Sequence, residues 1–320
     1  MIKIKFLQLI AICIICFTAC NNNTENSNDL PKQEDILEKQ DTAEEENETT
    51  VENFNKEPLK HEFEAWPNKV DSFKKAFNDK FSKEEQETIW ALNRVDEKNS
   101  WRPDTLIVPK DLDKDWMDFS PFPSQLEILK PVDKFVFFSY PIQAFAVYEN
   151  GILLRWGPTS MGSKAHPTPT GLHFSNWKSK KSISTVSDEW ILPWNFNIAN
   201  FDGVGWHEYS MPGYPASHSC LRLWKKDAVW LYDFAEQWIL DKTGNNKLAE
   251  GTPVIVYGTF PFDERKPWLN MLDDPEALNQ SVAAMEEAIQ VHMDKIMEKQ
   301  KERKELLKNR NKSKEDNDEV

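Results

Sequence analysis

Three absences frame this chain. It has no run of about 20 apolar residues, the length a spanning helix needs, and that excludes an uninterrupted transmembrane segment. It has no basic stripe, which argues against a nucleic-acid partner; acids outnumber bases 53 to 39, for a formal charge of −14. It has almost no cysteine. Only four occur in 320 residues, and with Cys13, Cys16 and Cys20 crowded at the start, Cys220 stands alone in the body, where no disulfide framework can form. What is present is aromatic: thirteen Trp and nineteen Phe, enough for one sizeable core with appendages, as this length suggests.

The first residues, "MIKIKFLQLIAICIICFTAC", place Lys3 and Lys5 before an apolar run from Phe6 to Phe17 that is too short to span a bilayer. The pattern reads as an export signal over residues 1–20. "FTAC" resembles a bacterial lipobox, which implies lipidation of Cys20. The alternative is an ordinary signal peptide cut elsewhere, but an A-x-A site is absent. Cys13 and Cys16 then leave with the signal, Cys20 carries lipid, and Cys220 is the one remaining thiol. An unpaired thiol exported to an oxidising environment is a candidate reactive group, although free cysteine is also among the residues most often buried as an apolar plug. Residues 21–57 are rich in Asn, Glu and Thr with few large apolars, too few to offset chain entropy. They read as a disordered acidic linker. The expectation is an exported, membrane-anchored lipoprotein of the periplasm or cell envelope.

Three further segments follow. In 58–130, Val70, Phe73, Phe77, Phe81, Ile89 and Leu92 suit one or two amphipathic helices, with Ser82 and Glu85 as a capping box, and "WRPDTLIVPKDL" reads as a short strand. The stretch "LNRVDEKNSWRPDTLIVP" is faintly similar to the second half of a LysM peptidoglycan-binding module; a plain helical lead-in is the alternative. In 131–260, "KFVFFSY", "AFAVYENG" and "ILLRWGPTS" are short runs of strand-forming residues with a turn at Glu149–Gly151, "SMGSKAHPTPTGLHF" is a loop entering a strand, and "TPVIVYG" is a buried strand. "LWKKDAVWLYDFAEQWIL" has helical period, so a helix is expected to begin just after Cys220. In 261–320, Asp274 as N-cap and Pro275 at the first position open a long helix, with Met285, Met293 and Met297 as a packing stripe.

Chemistry concentrates in "WHEYSMPGYPASHSCLRL", residues 206–223. A cysteine attacks as its thiolate, and an ordinary thiol, with a pKa of about 8.5, is only a few per cent ionised at neutral pH. A cationic histidine or a helix N-terminus lowers that value, and His207, His218 and the expected helix supply both. In an extended segment His218 and Cys220 point the same way; His207 reaches the thiol by a turn at "MPGYP". A zinc site built from these three is unfavoured, because H-x10-H-x-C is not a usual ligand spacing, so no metal is expected. His61 and His292 read as surface residues, His166 and His173 as structural ones, and Trp206, Tyr209 and Tyr214 as wall or packing residues.

"PASHSCLRL" resembles the S-H-G-C-[VI]-R signature of the L,D-transpeptidases, the YkuD-type cysteine enzymes of the cell wall. His207 in "GWHEYSMPGYP" matches the family's upstream histidine, while "VYENGILLRWGPTSMG", "HPTPTGLH" and "TPVIVYG" match its hairpin, strand entry and closing strand in order. The resemblance spans about residues 131–260. It implies an α+β fold: a β-rich L,D-transpeptidase-like catalytic domain with flanking helical segments. It implies Cys220 as nucleophile and His207 as general base, with Ser217, His218, Ser219 and Arg222 as pocket and oxyanion support. Within that frame Ser217 orients His207 or His218, and Arg222 is a pocket support or a partner for a substrate carboxylate. Tyr214 and His173 are candidate substrate contacts. Peptidoglycan stem peptides are the implied partners, and no cofactor is needed. Two departures stand out. The family's glycine before the cysteine is Ser219, which is strained if the position needs a positive φ, and the His207–Ser217 gap is short, implying a trimmed, more open donor site. An L,D-carboxypeptidase of the same fold, or a non-catalytic wall-binding lipoprotein, are the alternatives.

Overall fold

The computed structural model describes residues 61–318 apart from 70 and 185; the expected export signal, Cys20 and the acidic linker lie outside these residues, as does Val70. The architecture is organised around a five-stranded sheet. Strands β1 (Phe63–Pro67) and β2 (Thr105–Pro109) belong to the lead-in; β3 (Lys134–Ser139), β4 (Ala144–Glu149), β5 (Ile152–Pro158), β6 (Gly171–Phe174) and β13 (Pro253–Tyr257) form the central sheet in the order β5-β4-β3-β13-β6. Strands β7 (Lys178–Ile183), β8 (Ile191–Ala199), β9 (Val204–Glu208) and β10 (Leu221–Leu223) form a second sheet, ordered β10-β9-β8-β7, and β11 (Ile239–Leu240) pairs with β12 (Lys247–Ala249).

The continuous apolar runs of β3 and β4 follow from burial on both faces. Val136, Phe138, Phe145 and Val147 meet Phe196, Trp206, Leu221 and Leu223 of the second sheet and Ala228 and Leu231 of α3 (Lys225–Phe234). Phe135, Phe137, Ala146 and Tyr148 meet the opposite layer, which includes Trp268, Met285, Ile289, Met293 and Ile296. Between β4 and β5, Asn150 (φ 49°) and Gly151 (φ 82°) make the two-residue turn that positive φ at both centres permits.

The lead-in is more than a helical segment. α1 (Asp71–Lys80) and α2 (Lys83–Leu92) lie between β1 and β2, which pair antiparallel, and Phe77, Phe81, Ile89, Trp90, Leu106 and Val108 make their shared core. Ser82 and Glu85 form the capping box anticipated from their spacing. α2 ends in a Schellman arrangement: Arg94 N–H donates to Ala91 O and Val95 N–H to Trp90 O. The left-handed position, usually glycine, is Arg94 at φ 60°. Its buried guanidinium donates to Ala91 O, Leu92 O and Ile142 O, satisfying helix-end carbonyls and tying the lead-in to the turn between β3 and β4. Burial holds Arg94 down to about 9.

Two expectations at the C-terminus change. Asp274 caps only a turn, its Oδ1 accepting Glu276 N–H; the helix starts at Ser281, which caps α4 (Val282–Gln290), and a separate α5 (Met293–Asp318) follows. The turn lets Leu278 bury and Gln280 N–H reach Pro121 O, which a helix running straight from Asp274 would forgo. Met285 and Met293 are buried in the core and Met297 packs against it. His61 is not a surface residue: its ring stacks on Phe119 at 4.4 Å and its nitrogens reach Asp111 Oδ2 and Asp118 O. No described helix is long and apolar enough to cross a membrane.

Candidate active site

Strands β9 and β10 run parallel, with Leu221 opposite Trp206 and Arg222 opposite His207. Trp206, Leu221 and Leu223 point into the core, so by alternation His207 and Arg222 share the other face. Cys220, one residue before β10, falls on that face too, across from Gly205. Nucleophile candidate and base candidate are thus diagonal neighbours on adjacent strands. Gly205 is required here: a Cβ on it would come within 2.4 Å of Phe196 O.

His207 is 3% exposed. Its Nδ1 lies 3.0 Å from Glu208 O, and a carbonyl can only accept, so Nδ1 carries the proton and Nε2 is left as the acceptor. Burial, with a smaller contribution from Arg222, pushes the imidazole down to about 4 against the pull of the Glu208 carbonyl. Cys220 is half-buried. Its Sγ lies against the backbone of Gly203 and Gly205, donating to Gly203 O at 3.7 Å. Burial raises the thiol pKa, and the Gly205 backbone and Arg222 offset this only in part. Both directions favour an uncharged thiol beside an uncharged imidazole. The helix expected just after Cys220 does not supply a counter-field: β10 intervenes, and α3 begins only at Lys225. The "LRL" run pairs with β9 and completes the second sheet, so the helical pattern takes over only after it.

Ser219 adopts φ 78°, so the serine does sit where a glycine would be unstrained, at a cost of about 1–2 kcal/mol. Thr168 braces it, donating from Oγ1 to Ser219 O at 2.8 Å while accepting Gly162 N–H at 2.9 Å. That left-handed residue also interrupts the extended run that would have aligned His218 with Cys220. His218 is exposed and stacks on His166 at 3.7 Å, with Trp190 edge-on at 5.4 Å. Ser217 orients neither histidine; its Oγ donates to Cys220 O, closing the loop on itself because the turn at Ser219 brings that carbonyl back.

Arg222 spans the neighbouring segment, donating from Nη1 to Ser210 O at 3.2 Å and from Nη2 to Ala216 O at 2.9 Å, with its guanidinium 4.7 Å from the Tyr209 ring. Those bonds make it a brace for residues 209–216. Tyr214 is 44% exposed; its carbonyl accepts from Ser160 Oγ and Lys266 Nζ lies 6.0 Å from its ring. His173, on edge strand β6, is half-buried, with Nε2 3.1 Å from Pro169 O. Burial lowers its pKa, and the Pro169 carbonyl and Asp202 oppose that. Among the described residues no group of three or more His, Cys, Asp or Glu is arranged to hold a metal ion. Thr168 was not singled out from the sequence, although it lies within "HPTPTGLH".

A buried neutral imidazole with a fixed acceptor nitrogen, a thiol and a main-chain turn can together perform cysteine acyl transfer. Residues 133–256 match the family model of the L,D-transpeptidase catalytic domain (YkuD), so the resemblance drawn from the motifs holds over that stretch. Among solved structures, an L,D-transpeptidase from Stackebrandtia nassauensis is similar at 23% identity over 40% of this chain and 57% of that one, with a TM-score of 0.32. One from Mycobacterium smegmatis is 22% identical over 39% and 59%, TM-score 0.32, and one from Mycobacterium tuberculosis H37Rv 22% over 39% and 58%, TM-score 0.32. The chain therefore spans under two thirds of the length of each. No curated protein matches the sequence significantly.

Proposed function

We propose that this chain is a peptidoglycan L,D-transpeptidase that uses Cys220 as nucleophile and His207 as general base. The observation that carries the reading is the shared face of β9 and β10, where Cys220 and His207 are diagonal neighbours and His207 Nδ1 is occupied by Glu208 O. The family match over 133–256 supports peptidoglycan stem peptides as the substrate class, within which we assign the tetrapeptide as donor.

In this mechanism His207 Nε2 takes the proton from Cys220 Sγ as sulfur attacks the carbonyl of the bond between an L-centre and the terminal D-alanine. Main-chain N–H groups around Ser219 and Cys220 receive the oxyanion. Collapse breaks the C–N bond, His207 returns the proton to the departing amine, and D-alanine leaves a thioester on Cys220. An acceptor amine then attacks the thioester, its proton passing to His207, and the new amide leaves as the thiol re-forms. Water in place of the amine gives the carboxypeptidase outcome. Splitting one acyl transfer into two steps lowers each barrier. In this reading Ser217, Ser219 and Arg222 hold the loop, His218 supports the pocket, and Tyr214 and His173 are assigned to substrate contact. An export signal and lipid on Cys20 would place the enzyme at the membrane surface facing the wall, with residues 21–57 as its tether.

The test is incubation with disaccharide tetrapeptide, with products followed by mass spectrometry. Free D-alanine and a cross-linked dimer are expected from the native chain, and neither from Cys220→Ala. D-alanine release that survives this substitution rejects the assignment. Trimmed tripeptide without dimer identifies the carboxypeptidase.

A further inference from the structure

The segment that links the base to the nucleophile loop, residues 209–216, is held from two sides. Arg222 grips it from within the site, through Ser210 O and Ala216 O. The other grip comes from the lead-in, far away in sequence. Asp96 Oδ2 accepts Met211 N–H at 2.7 Å, and Asp96 N–H donates to Met211 O at 3.1 Å. On either side, Gly213 N–H donates to Arg94 O at 3.0 Å and Asn99 Nδ2 to Ser210 Oγ at 2.7 Å. The same stretch also takes Trp224 Nε1–H on Val95 O at 3.2 Å.

Those partners have a common meaning. Ser210, Met211 and Gly213 follow the end of β9, and Trp224 follows the end of β10. Residues 94–99 therefore hold the exits of the two strands that carry His207 and lead from Cys220. The stretch is itself fixed, since the Arg94 guanidinium is bonded to Ile142 O of the central region. Asp96 is the hub. Its Oδ1 accepts both Asn99 N–H and Asn99 Nδ2–H at 2.8 Å, which leaves Oδ2 aimed at Met211 alone.

We propose that Asp96 is a positioning residue for the cysteine site, setting the relative placement of β9 and β10 through its clamp on Met211. The proposal rests on reading Cys220 and His207 as the acyl-transfer pair. Proton transfer from sulfur to Nε2 tolerates little displacement, so a clamp of this kind acts on kcat rather than on the reactivity of the thiol.

The test compares the full chain with Asp96→Ala and Asn99→Ala at a temperature well below their melting points. D-alanine release is measured per titratable thiol, alkylation of Cys220 by iodoacetamide in parallel, and amide hydrogen exchange of residues 209–213 without substrate. For Asp96→Ala, kcat is expected to fall about tenfold, the size associated with losing a hydrogen bond to a charged group. KM stays within about threefold, alkylation within about twofold, and exchange at 209–213 rises. Asn99→Ala moves in the same direction by about threefold and serves if Asp96→Ala does not fold. Unchanged kcat with faster exchange makes the clamp merely structural and overturns the proposal, as does unchanged exchange. An inactive native chain instead overturns the reaction itself, and the exchange data, which need no turnover, tell the two failures apart.

Discussion

The charge state of the resting pair can be tested by pH alone. Burial carries His207 down to about 4 and moves Cys220 above the ordinary thiol value, so between pH 5 and 8 the site holds imidazole and thiol, not imidazolium and thiolate. At pH 7 a thiol at or above about 8.5 is less than about 3% ionised. Iodoacetamide alkylation of Cys220 should therefore climb continuously with pH through 8.5, with no plateau at neutral pH, and His207→Gln should leave the rate at pH 7 within about twofold because a neutral imidazole contributes no charge. Turnover should show its acid limb near 4, where His207 becomes protonated. The stability sign is fixed too. A histidine with depressed pKa stabilises the fold fully above its unfolded value of about 6.5, and the contribution is lost as pH falls towards about 4. At about 1.4 kcal/mol per pH unit the loss is roughly 3 kcal/mol, absent in His207→Gln. Cys220 works the other way: its contribution is complete below about 8.5 and lost as pH rises further. An alkylation plateau between pH 5 and 7 would refute the neutral pair.

Two other substitutions probe the loop. Ser219→Gly removes the strain of φ 78° while sacrificing only a long contact to His166 O at 3.4 Å. After the added entropy of glycine in the unfolded chain, it should stabilise by about 0.5–1 kcal/mol, read from denaturant midpoints; a destabilised variant would show the serine is needed. Thr168→Val keeps shape but deletes both bonds to Gly162 N–H and Ser219 O. It should cost about 2 kcal/mol and lower the melting temperature by about 5 °C, and no change would mean the brace is redundant.

Much of the region around the candidate site was legible because its signals are local. The runs of β3, β4, β5 and β13, the Asn150–Gly151 turn and the Ser82–Glu85 box each depend on neighbours a few residues away. The Cys220 motif was visible for the same reason. What escaped were long-range pairings. "LRL" looked like the start of a helix because its partner, β9, had first to exist for it to be a strand. Strand β1 was invisible until β2 could be seen to pair with it. Ser217 was assigned to a histidine when its acceptor lies at the other side of a left-handed turn. Asp96 resembles any helix-capping aspartate, and only the folded chain brings Met211 to its free oxygen. Two neighbouring helices at the C-terminus read as one because the break between them, at Val291 and His292, carries neither glycine nor proline to mark it.

The double coverage of the central sheet has a practical consequence. Cutting the chain back to residues 133–256, the stretch by which its kinship is recognised, would strip Trp268, Met285, Ile289 and Ile296 from the Phe135–Phe137–Tyr148 surface. It would leave a large contiguous greasy patch in water, which promotes self-association. The smallest piece that can stay in solution by itself is thus considerably longer than the piece that names its relatives.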